Sequence, residues 1–446
     1  MIRVMARTVK PTGRVQNVNI LAIDVGTSSV KAAIVRVGDF AISGPIGRAA
    51  LHLELPEADA AVLDPEAVWS AVGEACRAAV SDDRVEGVGL SCLTPAWLLL
   101  DDCDTPLTPI ITHLDRRARP LAREVWREAG ADFLRSTGNK PLPGGMSGIG
   151  CAWLLRHRPE LRPRIRRFLH LNSWLALRFT SRTAFDPGNA SFTGLFDTMT
   201  TGQWSPRWCN YLKVDLNWLP DVVSGDVTLG QLTLEAARHL GVSSGIPVKL
   251  GIADTSSAML AAEVGPGDLL HVVGTTQVLA TLAPRPVPSE NRLTRRLGVG
   301  EAFIHVTHNP VGGVALDWIH RLCFREQDDA EFYGKTLYSV LERQSEVVLD
   351  PPFLGGDRLE IEPTSAGFRC LHLTTDRLDL LAAVLQAMRK HHQSALTALG
   401  RDGPVRRLIL TGGAAEVIEN LIPEYRRVPV VRLVEGSLRG VAALFR

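Results

Sequence analysis

Asp24 closes an apolar run, Ile20 to Ile23. It is followed by Gly26, by the hydroxyl residues Thr27, Ser28 and Ser29, and by a single Lys31 near the start of a second apolar, β-rich run. Two β-favouring segments joined by a short glycine-containing turn predict a hairpin. Such a turn aims backbone N–H groups and hydroxyls at one spot, with a carboxylate at its edge. That set suits a phosphate with its magnesium ion: the donors cradle the oxygens and Asp24 holds the metal directly or through water. An ordinary hairpin whose hydroxyls only satisfy the turn has the same signature. The stretch Leu269 to Leu282 repeats this grammar, HVVGTTQV aligning with IDVGTSSV so that Gly274 and Thr275 fall opposite Gly26 and Thr27. Two phosphate-type hairpins far apart point to a duplicated domain clasping one nucleotide from both sides. Chance likeness of two short β-turn-β segments is the alternative. In LILTGGAA, Leu408 to Ala415, a strand runs into Gly412 and Gly413, which let a flat purine or ribose lie close to the backbone.

The elements that must position these residues alternate between strand and helix, which predicts an α/β architecture. Helical spacing covers Asp64 to Val80, opened by an Asp-Pro pair, and returns over Arg119 to Ala129, Cys151 to Arg158 and roughly Asp376 to Leu399. Val85 to Leu90 and Trp97 to Leu100 read as buried strands. KPLPGGMSGIG reads as a flexible loop that bounds a pocket or simply connects. GSLRGVAALF reads as a closing helix.

A chain of 446 residues is too long for one core and predicts two domains. Its 45% hydrophobic and 22% charged residues are those of a soluble globular protein, and a net charge of +1 gives no reason to expect nucleic acid or a membrane as partner. Seven scattered cysteines do not form a disulfide framework and predict a reducing, cytoplasmic setting. No apolar run reaches transmembrane length, and the basic residues 1–18 lack a signal peptide's apolar centre, reading as a flexible extension.

In this order, IDVGTSSVKAAIV, PLTPIITHLDRRA, GIPVKLGIAD, HVVGTTQVL, GGVALDW and LILTGGAA resemble the FGGY family of carbohydrate kinases, within the actin/Hsp70/hexokinase superfamily, from about Asn19 to the C-terminus. The resemblance implies two ribonuclease-H-like (actin-like ATPase) domains forming a duplicated fold with an interdomain cleft. Residues 19–256 would be the sugar-binding domain with the first phosphate hairpin, and 257–446 the nucleotide-binding domain. It implies ATP and Mg2+, and transfer of the γ-phosphate to a hydroxyl of a small sugar, polyol or sugar acid, as in xylulokinases and gluconokinases. Asp254 falls on the general base. A sugar hydroxyl is a poor nucleophile, and a carboxylate within reach takes its proton as the bond to phosphorus forms. Asp254 also opens a helix, so a capping role is compatible. Ser28 and Lys31 fall where relatives contact the outer phosphates, with Gly26, Thr27, Gly274 and Thr275 around them. Gly313 and Asp317 lie beside the nucleotide, and Gly412, Gly413 and Ala414 line the adenosine. A carboxylate at Asp317 would repel phosphates, so solvent is its other setting.

The substrate side departs from the family pattern. The usual Gln-Met-His-like stretch reads Cys92, Leu93, Thr94, Pro95, Ala96, and His113 replaces a tryptophan. Thr94, Pro95, His113, Asp115 and Asp254 are the substrate-binding candidates; Asp115 with Arg117 also reads as a structural salt bridge. Asp186, Asn189 and Ser191 would close part of the pocket. The Gly-rich signature before the long C-terminal helix is reduced to GFRCLHL. A catalytically degenerate metabolite sensor and a sugar-independent ATPase are therefore the competing readings. His305 and His308 read as structural or solvated, KHHQ (Lys390 to Gln393) as a wet helix face, and Trp97, Trp153, Trp174 and Trp208 as packing. Cys92 and Cys103 fall near the inferred substrate wall. Whether two copies pair as a homodimer is left open.

Overall fold

The fold is that of a computed structural model, which describes residues 18–80, 84–274, 277–309, 312–350, 360–362, 365–400, 403–412, 418–419, 421–422, 425 and 427–446. The expected extension therefore lies outside the described residues, as do Thr275, Gly413 and Ala414.

Two sheets carry the molecule. In the first, Ile42–Ala50, Ser29–Arg36 and Asn19–Val25 run antiparallel, and Asn19–Val25 continues in parallel to Val88–Cys92, beyond which lie Pro247–Lys249 and Thr228–Gln231. In the second, Phe303–Asn309, Gln277–Ala283 and Asp268–Val273 run antiparallel. Asp268–Val273 then pairs in parallel with Arg407–Thr411, followed by Val430–Arg432. The same three-antiparallel-then-parallel order appears in both, so the likeness of IDVGTSSV to HVVGTTQV extends to whole sheets. The second sheet adds an edge strand, Leu293–Arg296.

A four-stranded sheet, built on Ala96–Leu100 and Arg167–His170, elaborates the first lobe. The predicted helix at Asp64 is Pro65–Ala79, with the Asp64 carboxylate accepting from the N–H of Ala67. The predicted helix at Arg119 runs on to Thr137 through a non-helical Ala129. The helix expected from Cys151 begins at Ser147, so the last residues of KPLPGGMSGIG are its first turn; a side chain at Gly148 would meet the carbonyl of Thr193.

Two helices cross between the lobes. Asp254–Ala261 leads out of the first sheet, and Gly436–Ala443 returns from the second to bury Leu438, Val441 and Ala442 against Ile20, Ala22, Ala33 and Val35 of the first. Burying such side chains contributes roughly 1.5–3 kcal/mol each. The helices touch backbone to backbone: a Cβ on Gly440 would stand 1.8 Å from the carbonyl oxygen of Ser257. The long helix Arg377–Ala398 covers the second sheet. Its KHHQ run is not wholly wet, because His392 turns inward and stacks near His271 with ring centroids 5.3 Å apart. Trp97, Trp174 and Trp208 are buried as packing residues. All seven cysteines are free thiols, and Cys103 sits exposed in a surface turn rather than in a pocket wall. No described helix is long and apolar enough to cross a membrane.

Gly440→Ala is expected to lower the melting temperature, because backbone faces the new methyl and no rotamer can yield; the cost is about 1–3 kcal/mol. Gly334→Ala, where an added Cβ meets nothing within 4 Å, is the control expected to melt as wild type does. Equal melting of all three proteins would contradict this account of the crossing.

Candidate active site

Strand pairing puts two carboxylates in the cleft. Asp24 is opposite Ser91 on the neighbouring strand, and Ser91 is opposite Ile252 on the next. Asp254 comes two residues after Ile252, as the first residue of the crossing helix. The glycine of GIAD makes this possible. Gly251, at φ 84°, sits where a Cβ would lie 2.2 Å from the carbonyl of Leu90, and the strand is interrupted there between Pro247–Lys249 and Ile252–Ala253. Asp254 is half-buried, and its Oδ1 accepts from the N–H of Thr255 at 2.6 Å.

Asp254 forms the shared wall of two cavities. The larger, about 580 Å³, is bounded by Asp24, Lys31 and Arg48 of the first lobe and by Thr411, Gly412 and Glu435 of the second. The smaller, about 300 Å³, is bounded by Gly26, Thr27, Leu93, Thr94, Pro95, His113 and Phe192 on one side and by Gly274, Arg295 and His308 on the other. The two hairpin turns thus converge beside Asp254. Gly412 is demanded by its place: at φ 103°, an added Cβ would lie 2.1 Å from the carbonyl of Val273.

Burial, with the charge of Asp254 as the next cause, pushes the Asp24 carboxyl up to about 7, although Ser91 donates to it at 2.8 Å. A desolvated carboxylate facing another is a donor set that a divalent cation satisfies, so Asp24 fits the metal role. Lys31 is beside it, but its Nζ already donates to Glu435 at 2.8 Å, and Glu435 also takes Arg48 at 2.5 Å. Lys31 therefore enters the cleft as half of an interlobe ion pair rather than as a free point charge.

Behind the smaller cavity lies a buried polar network. Thr94 Oγ1 donates to Asn189 Oδ1 at 2.6 Å, and Asn189 Nδ2 donates to Asp186 at 2.6 Å. Burial holds Asp186 up at about 6 despite its hydrogen bonds. The segment 186–191 thus backs the wall, and Phe192 faces the cavity.

Other expected residues are placed elsewhere. The carboxylate of Asp115 is taken by Arg117 at 2.8 Å and by the N–H of Ala61 at 3.2 Å, and it is not part of either cavity lining. Asp317 is exposed and accepts from the hydroxyl of Tyr333, outside both linings. Ser28 is exposed at the hairpin tip, also outside both linings. Gly313 opens a helix, its N–H reaching the carbonyl of Gly274 at 3.3 Å. Sequence reasoning did not find Arg295, Phe192, Arg48 or Glu435, and it gave His308 no place at the site. LTRRLG carries no signal beyond a basic pair at a strand end.

A sheet built twice, with a carboxylate at the mouth of a shared cleft and paired glycine turns facing it, defines a two-lobed phosphotransferase of the actin-like ATPase class. The model of the FGGY family of carbohydrate kinases, N-terminal domain, matches residues 19–261. A gluconokinase of Bacillus subtilis (strain 168) is 24% identical over 456 residues, covering 95% of this chain and 86% of that protein. An L-xylulose/3-keto-L-gulonate kinase of Escherichia coli (strain K12) is 27% identical over 413 residues, with 89% and 80% covered. The crystal structure of xylulose kinase from Rhodospirillum rubrum superposes with a TM-score of 0.83 at 25% identity, covering 96% of this chain and 89% of that one. The chain belongs to the FGGY family of carbohydrate kinases. It has the duplicated ribonuclease-H-like fold of that family, and its reaction class is phosphoryl transfer to an alcohol acceptor.

Without metal, the pKa of Asp24 stands above the unfolded value, so the native state binds more protons between pH 3.8 and about 7 and loses stability as pH rises through that window. Asp24→Asn removes this penalty. In EDTA the variant is expected to match wild type near the low end of the window and to melt several degrees higher at pH 8. Mg2+ is expected to raise the melting temperature of wild type only. Coincident melting curves at pH 8 would contradict the assignment.

Proposed function

We propose that the protein transfers the γ-phosphoryl group of MgATP to a hydroxyl of a small sugar, polyol or sugar acid, with Asp254 as general base. The observation that carries this reading is the position of Asp254 in the wall common to both cavities. The acceptor occupies the smaller cavity, against Thr94, Pro95 and His113, and the nucleotide occupies the larger, its terminal phosphate reaching past Asp254 to the turns at Gly26 and Gly274 that line the smaller, so the base lies where the two ligands meet. Asp254 takes the proton of the attacking hydroxyl as that oxygen approaches phosphorus. The turns at Gly26–Thr27 and at Gly274 meet the terminal phosphate, the N–H of Gly26 itself closing its hairpin on the carbonyl of Ser29 at 3.0 Å, with Thr275 following Gly274 in sequence. Gly412 leaves room for the nucleoside beside the strand, with Gly413 and Ala414 following it in sequence. Asp24 would hold Mg2+, which would supply charge neutralisation for the phosphates.

Lys31 reaches these phosphates only on leaving Glu435, so nucleotide binding and the interlobe ion pair compete for one ammonium. Asp115 supports the wall through Arg117 and Ala61 rather than through the acceptor. The partly buried site excludes water, which keeps the phosphoryl group from hydrolysis once the acceptor is seated. Seven free thiols fit a reducing cytoplasm.

Asp254→Asn is expected to lower kcat by roughly 10²–10⁴ or more in a coupled ADP-release assay with a responsive sugar, while the Kd for ATP measured by calorimetry stays within a few-fold. Undiminished turnover in this variant would remove Asp254 from the proton transfer.

A further inference from the structure

Arg295 is a buried guanidinium in a cavity whose other walls are mostly apolar. It lies on the edge strand Leu293–Arg296 of the second sheet, is 2% exposed, and faces the smaller cavity together with Leu93, Pro95 and Phe192. Its Nη1 donates to Ser256 Oγ at 2.8 Å, and its guanidinium lies 5.2 Å from the ring centre of Phe192. Its Nε is buried with no hydrogen-bond partner among the described residues. Leaving a buried donor of a charged group unmade is costly, so such a group is expected to have a use.

The strand that bears Arg295 is held to the opposite lobe. Asn139 Nδ2 donates to the carbonyl of Thr294 at 3.1 Å, and the N–H of Thr294 donates to Asn139 Oδ1 at 3.2 Å. The N–H of Arg296 donates to Ser191 Oγ at 3.2 Å. The side chain between these two clamps is therefore positioned by the first lobe although it belongs to the second. The acids Asp254 and Asp186 attract the guanidinium, yet burial outweighs them and brings its pKa down to about 10, so it remains charged at neutral pH. With Nη1 committed to Ser256, the Nε–Nη2 edge is left, and that edge matches the two oxygens of a carboxylate in a bidentate pair.

We propose that Arg295 is a specificity-determining residue that binds the carboxylate of the acceptor, so that the preferred substrates are sugar acids such as aldonates rather than neutral ketoses or alditols. This rests on the kinase reading above, and it makes the second lobe contribute to recognition of the acceptor and not only of the nucleotide. The second lobe thus presents a charged clamp to the acid end of the substrate while the hydroxyl end meets Asp254.

The test uses the full chain and matched pairs of equal carbon number, gluconate with glucitol and xylonate with xylitol, together with xylulose. Both calorimetric binding and ADP release are measured. Wild type is expected to bind the acids more tightly and to show a kcat/KM for them on the order of 10- to 100-fold above the neutral partners, the discrimination a charge-assisted pair provides. In Arg295→Gln that ratio is expected to collapse towards one, with partial recovery in Arg295→Lys, which keeps the charge but loses the fork. Neutral acceptors favoured by wild type, no binding of any acid, or a ratio unmoved by Arg295→Gln would each overturn the proposal while leaving the kinase reading in place. Acids bound selectively through Arg295 but never phosphorylated would support the proposal and overturn the kinase reading instead. Because the wild-type preference needs no variant, failure of Arg295→Gln to fold does not blunt the test.

Discussion

The strand pairing that brings Asp24 and Asp254 together is the constraint on which the cleft depends. Asp24, Ser91 and Ile252 stand side by side across three strands, and Asp254 follows at the first step of a helix. The backbone of Asp24 is fixed by the sheet, and that of Asp254 by the strand that ends immediately before it. Asp24 is consequently desolvated opposite a like charge, a condition unfavourable to the empty protein and suited to a cation and a polyphosphate. The instability of the empty arrangement is thus a direct consequence of preparing it for its ligands.

Around that pair the two lobes are held by contacts of different character. At the back of the cleft, two helices meet backbone to backbone at Gly440 and Ser257, leaving little freedom to slide. At the front, the lobes meet through polar groups: the Lys31–Glu435–Arg48 ion pairs beside the larger cavity and the Asn139–Thr294 amide pair behind the smaller. A close-packed hinge behind and hydrogen bonds in front form an arrangement in which ligands can exchange partners with the front contacts while the hinge persists. Glu435 stands out in this respect, since the group it holds, Lys31, lies on the hairpin that turns at Gly26.

What could be read from the sequence was what is encoded locally. The hairpins at Gly26 and Gly274 announce themselves by apolar runs meeting at glycine and hydroxyl residues, and GIAD by a strand ending in an acid. Duplication was legible because both hairpins carry Val-Gly-Thr. The rest depends on partners distant in sequence. Nothing in LTRRLG shows that Arg295 is buried, because its neighbour Thr294 is pinned by Asn139, 155 positions before Thr294, and its own guanidinium is held by the crossing helix. Asp115 and Asp317 have the right chemistry for a site, but a nearby arginine in one case and Tyr333 in the other engage them. His392 looked solvated within a polar run, yet helical periodicity turns one residue of that run into the core beside His271.

The central claim is spatial: two like-built lobes place the end of one nucleotide against Asp254. A crystal structure of the full chain with Mg2+, a non-hydrolysable ATP analogue and gluconate tests it most directly. The account predicts the terminal phosphate between the turns at Gly26 and Gly274, the metal on Asp24, and an acceptor hydroxyl within about 2.6–3.2 Å of the Asp254 carboxylate. A nucleotide whose terminal phosphate points away from Asp254, or an acceptor bound outside the cavity that Asp254 walls, would contradict it.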